Sequence, residues 1–185
     1  MLPGHCDRCK VPGVDATSGS LGQGLSIACG LALSSRLRSK NQRVFCVIGD
    51  GEAAEGQIWE AAQFASHFEL DNLILFLDWN KMQIDGPNDK VMSLGDPVQK
   101  FQSFGWRACK VEGDNVLQLD EAISTAINLT DSKPHIIVLD TVKGGNIQCV
   151  SSLANNHCIG FSNEMYEKAL KELDAQASDL ERGVR

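Results

Sequence analysis

The chain has 185 residues, of which 43% are hydrophobic, and it carries a formal net charge of −7. This length and composition predict a globular domain with one core and exclude a disordered chain, and the acidic balance argues against nucleic acid or an anionic membrane as the main partner. No stretch approaches the roughly 20 apolar residues that span a bilayer, and the first residues lack the pattern of a signal peptide, so we expect a cytoplasmic protein.

Short apolar runs alternate along the chain with segments of helical spacing. The runs predict strands at residues 43–48, 72–78, 106–112 and 135–142, and the spacing predicts helices at 21–37, 54–67, 115–128 and 163–173. Strands that are apolar on both faces are typical of a parallel sheet covered by helices. We therefore predict an α/β fold, an open, mostly parallel sheet with helices on both faces, in a domain at residues 1–173 that a polar tail at 174–185 follows.

The seven cysteines are scattered, and no disulfide framework is expected. Apolar neighbours predict buried thiols at Cys29, Cys46 and Cys109. Cys6 and Cys9 have the spacing of a zinc-binding pair, for which His157 and Cys158 are the only candidates for a second pair. Two reduced cysteines in a loop are the favoured interpretation of Cys6 and Cys9.

Two of the predicted strands end in residues that suit a metal and a phosphate. The first ends at Gly49-Asp50-Gly51, and the second leads to Asn80, 30 residues after Asp50. Carboxyl ends of neighbouring parallel strands meet at the sheet edge where ligands bind. Asp50 and Asn80 offer the oxygen ligands that Mg²⁺ or Ca²⁺ takes, and the glycines let a phosphate approach the backbone near the N-terminus of the following helix. Each motif alone is a common turn, whereas the pair predicts a site for a magnesium diphosphate.

The pair Gly49-Asp50-Gly51 and Asn80 resembles the thiamine diphosphate and magnesium motif of thiamine-dependent enzymes. Several further segments resemble transketolases, namely residues 12–24, 49–61, 70–73, 85–86, 105–106 and 141–144. The resemblance extends from residue 3 to about 173 and is closest to the N-terminal subunit of split, two-gene transketolases. It implies transfer of a two-carbon ketol unit from a ketose phosphate to an aldose phosphate, with thiamine diphosphate and Mg²⁺, for which Ca²⁺ or Mn²⁺ can substitute.

The resemblance also implies a role for each matching residue. The metal ligands would be Asp50, Asn80 and the backbone carbonyl of Met82. The residues that contact the cofactor would be Gly19, Leu21, Gly49, Asp50, Gly51, Glu55, Asn80 and His157. The candidate catalytic residues are His5, which would contact the donor sugar, and His157, close to the reacting carbon. Glu55 and Glu60 match acidic residues of the subunit interface, whereas His67 and His135 are interpreted as structural.

The chain departs from the family pattern in the loop at residues 143–158, which keeps its length but changes several side chains. The family's stretch before His5 and its pyrimidine-binding half have no counterpart. We therefore expect an N-terminally truncated subunit that is active only with a C-terminal subunit carrying the pyrimidine-binding domain, in a heterotetramer or a homodimer-like assembly. Two alternatives stay open: a truncated or non-catalytic cofactor-binding or interaction domain, and a subunit of another thiamine enzyme, such as a deoxyxylulose-phosphate synthase or a dehydrogenase component.

Overall fold

A four-stranded parallel sheet forms the centre of the computed structural model, which describes residues 4–183. The strands in chain order are β1 (Val44–Gly49), β2 (Leu73–Trp79), β3 (Met82–Gln83), β4 (Gly86–Pro87), β5 (Arg107–Glu112) and β6 (His135–Asp140). The main sheet has the order β1-β2-β6-β5, and β3 and β4 form a small antiparallel hairpin directly after β2. The four predicted strands are confirmed, and β1 and β2 are neighbours. Pro3, which precedes Gly4-His5, and residues 184–185 of the predicted tail lie outside the described residues.

The helices in chain order are α1 (Gln23–Leu37), α2 (Gly56–His67), α3 (Asn88–Val91), α4 (Pro97–Ser103), α5 (Val116–Asn128), α6 (Gln148–Ser151) and α7 (Asn163–Glu181). The four predicted helices are confirmed. The three that were not predicted have seven residues or fewer, too short for a helical period to show in the sequence. Ser162 caps α7, which continues to Glu181, so residues 174–181 of the predicted tail are helical. The domain boundary at residue 173 stays a prediction.

Helices lie on both faces of the sheet, and alternate strand residues face them. On one face, α1, α2 and α4 cover a core that includes Leu25, Ile58 and Phe101 together with every second residue of β2. On the other face, α5 packs over Ile74 and Ile137. Because successive side chains of a strand point to opposite faces, a strand apolar at every position is buried on both sides. Within residues 4–183, no helix is both long and apolar enough to cross a membrane.

The sheet face on which α5 packs is less fully buried than the apolar strands predicted. Phe45 and Val47 of β1 point to this face and are 52% and 68% exposed, since α5 packs on β5 and β6 rather than over β1. The prediction of a buried Cys109 was wrong, because this residue lies on the edge strand β5 and is exposed. Cys29 is buried and Cys46 is half-buried, and burial raises the pKa of each thiol to about 12.

Candidate functional site

Asp50 lies at the carboxyl edge of the sheet, where β1 meets β2. The two strands pair in register up to Gly49, which lies opposite Asp78. Asp50 is only 3% exposed, and backbone N–H groups hold its carboxylate: Gly51 donates to Oδ1 at 2.8 Å and Lys81 donates to Oδ2 at 2.5 Å. The second bond connects the end of β1 to the turn after β2. The fold therefore brings the two predicted metal segments together.

Asn80 is oriented by hydrogen bonds on both ends of its amide. Its Nδ2 donates to Asp78 Oδ2 at 2.7 Å, and its Oδ1 accepts from the Met82 N–H at 3.0 Å. Thr141 donates to the other oxygen of Asp78, which fixes that carboxylate in turn. A carbonyl oxygen has two lone pairs, so Asn80 Oδ1 retains one for a cation.

The site concentrates negative charge in a buried place. Burial raises the pKa of the Asp50 carboxyl and the nearby Asp78 adds to the rise, whereas the N–H groups of Lys81 and Gly51 and the neighbouring Asn88 amide act in the opposite direction. Lys81, the residue after Asn80, is engaged by another carboxylate: Lys110 and Lys81 both pair with Asp140, at 2.7 and 2.5 Å, and their hydrogen bonds lower the pKa of that carboxyl. A bound cation would relieve the cost of the buried carboxylate.

Glu52 connects the glycine-rich segment to the end of β1. Its Oε1 accepts from the Gly22 N–H at 2.9 Å, and its Oε2 accepts from the Gly49 N–H at 3.3 Å. Gly22 is the left-handed cap of α1, with φ +85°, and a Cβ there would lie 3.2 Å from Glu55 Cβ. This role of Glu52 was not predicted. A carboxylate just after Gly49-Asp50-Gly51 was visible, but its partner lies 30 residues earlier in the chain.

Of the remaining predicted residues, His5 and Gly19 are in contact. A Cβ built on Gly19 would be 2.6 Å from His5 Cδ2, so the His5 ring packs directly against this glycine. Leu21 is 58% exposed, and Glu55 and Glu60 are also exposed. Surface positions of this kind are open to a cofactor or a partner, and their predicted roles stay predictions.

His157 is exposed, in a loop that touches the β3–β4 hairpin. Its backbone N–H donates to Asn155 Oδ1 at 3.2 Å, and Asn155 Nδ2 donates to the Ile84 carbonyl at 3.4 Å. Asn156 holds the base of the loop through the Lys143 carbonyl at 2.9 Å. The altered loop is thus attached to the hairpin that begins at Met82, shortly after Asn80.

Two further polar side chains, Gln83 and Asn88, lie beside the Asp50 segment. Gln83 packs on Gly51, where an added Cβ would come within 2.9 Å of Gln83 Cβ. Gln83 Nε2 donates to Asn88 Oδ1 at 3.1 Å, and Asn88 is 5% exposed. A cleft of about 470 Å³ opens next to them, lined in part by Asn80, Met82 and Asn88. Neither residue was predicted, because burial of a polar side chain in a hairpin has no sequence signature.

The helix that was expected to begin directly after Gly51 begins later. The chain after Gly51 forms a single 3-10 turn, Glu52–Ala54, and α2 begins only at Gly56. The helix therefore does not open directly at Gly51, since Glu55 takes an extended conformation between the two elements. The N–H groups that donate to Asp50 belong to Gly51, just before this turn, and to Lys81, after β2, and not to the first residues of α2.

The zinc interpretation gains no support from the described residues. Cys6, Cys9 and Cys158 are exposed. From residue 4 to residue 183, no group of three or more His, Cys, Asp or Glu side chains is arranged to hold a metal. The set around Asp50 is of another type, because it would combine one carboxylate with an amide and a backbone carbonyl.

Comparison with known proteins reveals clear similarity. The sequence matches the family described as transketolase, thiamine diphosphate binding domain, over residues 1–173. It is 39% identical over 178 residues to a 6-deoxy-6-sulfo-D-fructose transketolase subunit of Clostridium sp. (strain MSTE9), covering 96% of this chain and 64% of that protein. It is 33% identical over 184 residues to an apulose-4-phosphate transketolase subunit of Phocaeicola vulgatus, covering 98% and 64%. The chain thus spans 64% of the length of each of these curated relatives.

The fold resembles that of a solved transketolase. The crystal structure of the enzyme from Campylobacter jejuni superposes with a TM-score of 0.78 and 26% sequence identity, covering 86% of this chain and 26% of that chain. The fold of this chain, including the sheet edge that carries Asp50, therefore also occurs as one part of a much longer polypeptide.

Proposed function

The chain belongs to the transketolase thiamine diphosphate-binding family, and on that premise we propose that it is the N-terminal subunit of a split transketolase. Its activity would be transfer of a two-carbon ketol unit from a ketose phosphate to an aldose phosphate. The proposed domain spans residues 1–173, with the polar tail at 174–185. The observation that carries the proposal is the convergence of Asp50 and the Asn80–Met82 turn at one edge of the sheet.

The donor set fits a magnesium diphosphate. The Asp50 carboxylate offers four acceptor positions, of which two take backbone N–H groups, so it can still bind a cation. Asn80 Oδ1 and the Met82 carbonyl would add neutral oxygens, which leaves room for diphosphate oxygens and water as Mg²⁺ prefers. Ca²⁺ or Mn²⁺ would take the same ligands. Gly49 and Gly51 would let the diphosphate approach the backbone.

The cofactor, when bound, would supply the carbanion-stabilising chemistry that ketol transfer needs. The chain's own residues would bind and orient. Gly19, Leu21 and Glu55 would contact the cofactor, His5 would contact the donor sugar and His157 would lie near the diphosphate and the reacting carbon. The packing of His5 on Gly19 and the attachment of the His157 loop to the hairpin support these assignments.

Exposed apolar residues beside the site favour the presence of a partner subunit. Leu21, Ile27 and Leu31 are 58%, 40% and 45% exposed around α1, and apolar patches next to a site mark contact surfaces. We propose that a C-terminal subunit with the pyrimidine-binding domain covers them, in a cytoplasmic heterotetramer or homodimer-like assembly. Glu60 would lie at this interface. The similar Clostridium and Phocaeicola proteins are themselves named as subunits.

The first test measures cofactor binding. Thiamine diphosphate is titrated by calorimetry, at saturating Mg²⁺, into the complex of the chain with a co-expressed C-terminal subunit. Asp50→Ala should weaken binding at least about tenfold, because the anionic ligand is lost, and Asn80→Ala should weaken it less, because a neutral ligand is lost. Asp114→Ala is the matched control, since this exposed carboxylate follows a different strand. Equal affinity of Asp50→Ala and the unsubstituted chain would remove Asp50 from the site.

A second experiment separates the enzyme from a non-catalytic binding domain. The chain is assayed for ketol transfer alone and with a co-expressed C-terminal subunit, using several ketose and aldose phosphates. We expect turnover only in the complex. Turnover by the isolated chain would contradict the partner requirement, whereas cofactor binding without turnover in the complex would favour the non-catalytic alternative.

A further inference from the structure

Asn88 is a buried amide beside the proposed metal site whose donor has no acceptor. The residue is 5% exposed, and its Nδ2 has no hydrogen-bond partner within the part of the chain that the structure describes. An unsatisfied buried donor is destabilising, so a position of this kind calls for an explanation. The backbone N–H of Asn88 donates to the Lys81 carbonyl at 3.0 Å. Asn88 is therefore anchored to the same turn whose N–H binds Asp50.

The orientation of the Asn88 amide follows from its neighbour. Gln83 Nε2 donates to Asn88 Oδ1 at 3.1 Å, so the oxygen end faces Gln83 and the donor end points elsewhere. The Asn88 amide already lowers the pKa of the Asp50 carboxyl, against the larger effect of burial, so its donor end faces this carboxylate although no acceptor lies at hydrogen-bond distance from Nδ2. Gln83 is itself held in place by its packing on Gly51.

The Asp50 carboxylate has a free acceptor position for the unpaired Asn88 donor. A carboxylate has about four acceptor positions. The N–H groups of Gly51 and Lys81 occupy one on each oxygen, at 2.8 and 2.5 Å. One of the two remaining positions would face a cation, which leaves one for Asn88 Nδ2.

We propose that Asn88 is a positioning residue for Asp50, donating from Nδ2 to the carboxylate when a cation binds and so restricting Asp50 to a single oxygen ligand. Gln83 orients Asn88 for this task. The inference rests on the proposed function, because it requires that Asp50 binds the metal. With three donors around it, the Asp50 carboxylate cannot rotate to present both oxygens to the cation.

Metal selectivity follows from this restriction. Mg²⁺ demands near-ideal octahedral geometry, whereas Ca²⁺ accepts bidentate carboxylates and more ligands. A carboxylate held to one oxygen ligand suits Mg²⁺. Loss of the Asn88 donor would free the carboxylate to rotate, which would harm Mg²⁺ binding more than Ca²⁺ binding.

The experiment titrates the complex of the full chain with a co-expressed C-terminal subunit, at saturating thiamine diphosphate, with Mg²⁺ and separately with Ca²⁺. Asn88→Ala should lower Mg²⁺ affinity roughly tenfold, the lower end of the range for residues that hold a metal ligand, and should lower Ca²⁺ affinity much less. Lys90→Ala, an exposed change in the same short helix, is the matched control and should leave both affinities unchanged. This shift in the Mg²⁺-to-Ca²⁺ ratio is not expected from general loss of structure.

Gln83→Leu provides a second variant that retains Asn88 and the packing on Gly51. It should lower Mg²⁺ affinity less than Asn88→Ala, and the double variant should be no weaker than Asn88→Ala, because both changes act through one contact. Thermal unfolding without metal checks that each variant folds, and Gln83→Leu carries the test if Asn88→Ala does not fold.

The outcomes separate this inference from the proposed function. If the unsubstituted chain binds and Asp50→Ala abolishes binding, but Asn88→Ala has an unchanged Mg²⁺-to-Ca²⁺ ratio, the positioning role is refuted and the metal site stands. If the complex with the unsubstituted chain binds neither metal with thiamine diphosphate, both proposals fail.

Discussion

Replacing Glu52 by alanine should loosen the connection between the glycine-rich segment and the carboxyl edge of the sheet. The side chain accepts from Gly22 at 2.9 Å and from Gly49 at 3.3 Å, which joins the cap of α1 to the end of β1. Because one carboxylate serves both donors, its removal leaves two backbone N–H groups without this acceptor. The loss should therefore appear as reduced stability and as greater opening of the backbone at these two glycines.

The magnitude follows from the two hydrogen bonds. A bond to a charged acceptor contributes roughly 1.5–3 kcal/mol, and the longer Gly49 bond should contribute less than the Gly22 bond. We expect Glu52→Ala to lower the free energy of unfolding by about 3 kcal/mol. For a chain of this size this corresponds to a fall in Tm of roughly 6–12 °C. Glu52→Gln retains a single acceptor oxygen and should lose about half as much.

Urea denaturation measures the stability, and amide hydrogen exchange measures the opening at Gly22 and Gly49. Glu167→Ala, which removes an exposed carboxylate on α7, is the control and should change neither. A free energy of unfolding for Glu52→Ala within about 0.5 kcal/mol of the unsubstituted chain, the range of ordinary surface changes, would refute the idea that this carboxylate joins the two segments.

Two further predictions concern packing and pH. Gly51→Ala should destabilise the chain by about 1–3 kcal/mol, as overpacking does. The new Cβ would lie 2.9 Å from Gln83 Cβ, whereas the backbone φ of −62° itself suits alanine. In unfolding measurements the double variant with Gln83→Gly should recover part of the lost stability, and additive losses would contradict the steric reason. Burial lowers the pKa of His135, so the unfolded chain binds more protons below its ordinary pKa of about 6.5. The free energy of unfolding should therefore fall as pH drops through this value. His135→Gln should flatten the dependence of the free energy of unfolding on pH in this range, whereas His67→Gln, at an exposed position, should not. Equal slopes in the unsubstituted chain and both variants would refute the role of His135.

Local sequence patterns were enough to predict the order of the main elements and the convergence of the Asp50 and Asn80 segments at one sheet edge, where the candidate site lies. Apolar runs and helical spacing reflect which faces are buried, so they predicted β1, β2, β5, β6 and the four longer helices. The pairing of Asp50 with Asn80 could be predicted because a single helix separates two adjacent parallel strands. The family resemblance rests on the same motifs, and the comparisons confirmed it.

The residues that support that site became visible only in the folded chain. Glu52 meets Gly22 across 30 residues, and Asn88 is buried by a hairpin with strands of two residues each. The exposure of Cys109 and Val47 likewise depends on which strands lie at the sheet edges and where α5 packs. Local patterns record whether a residue is apolar and how often such residues recur. The partner of a polar side chain depends on the path of distant segments, which periodicity does not contain.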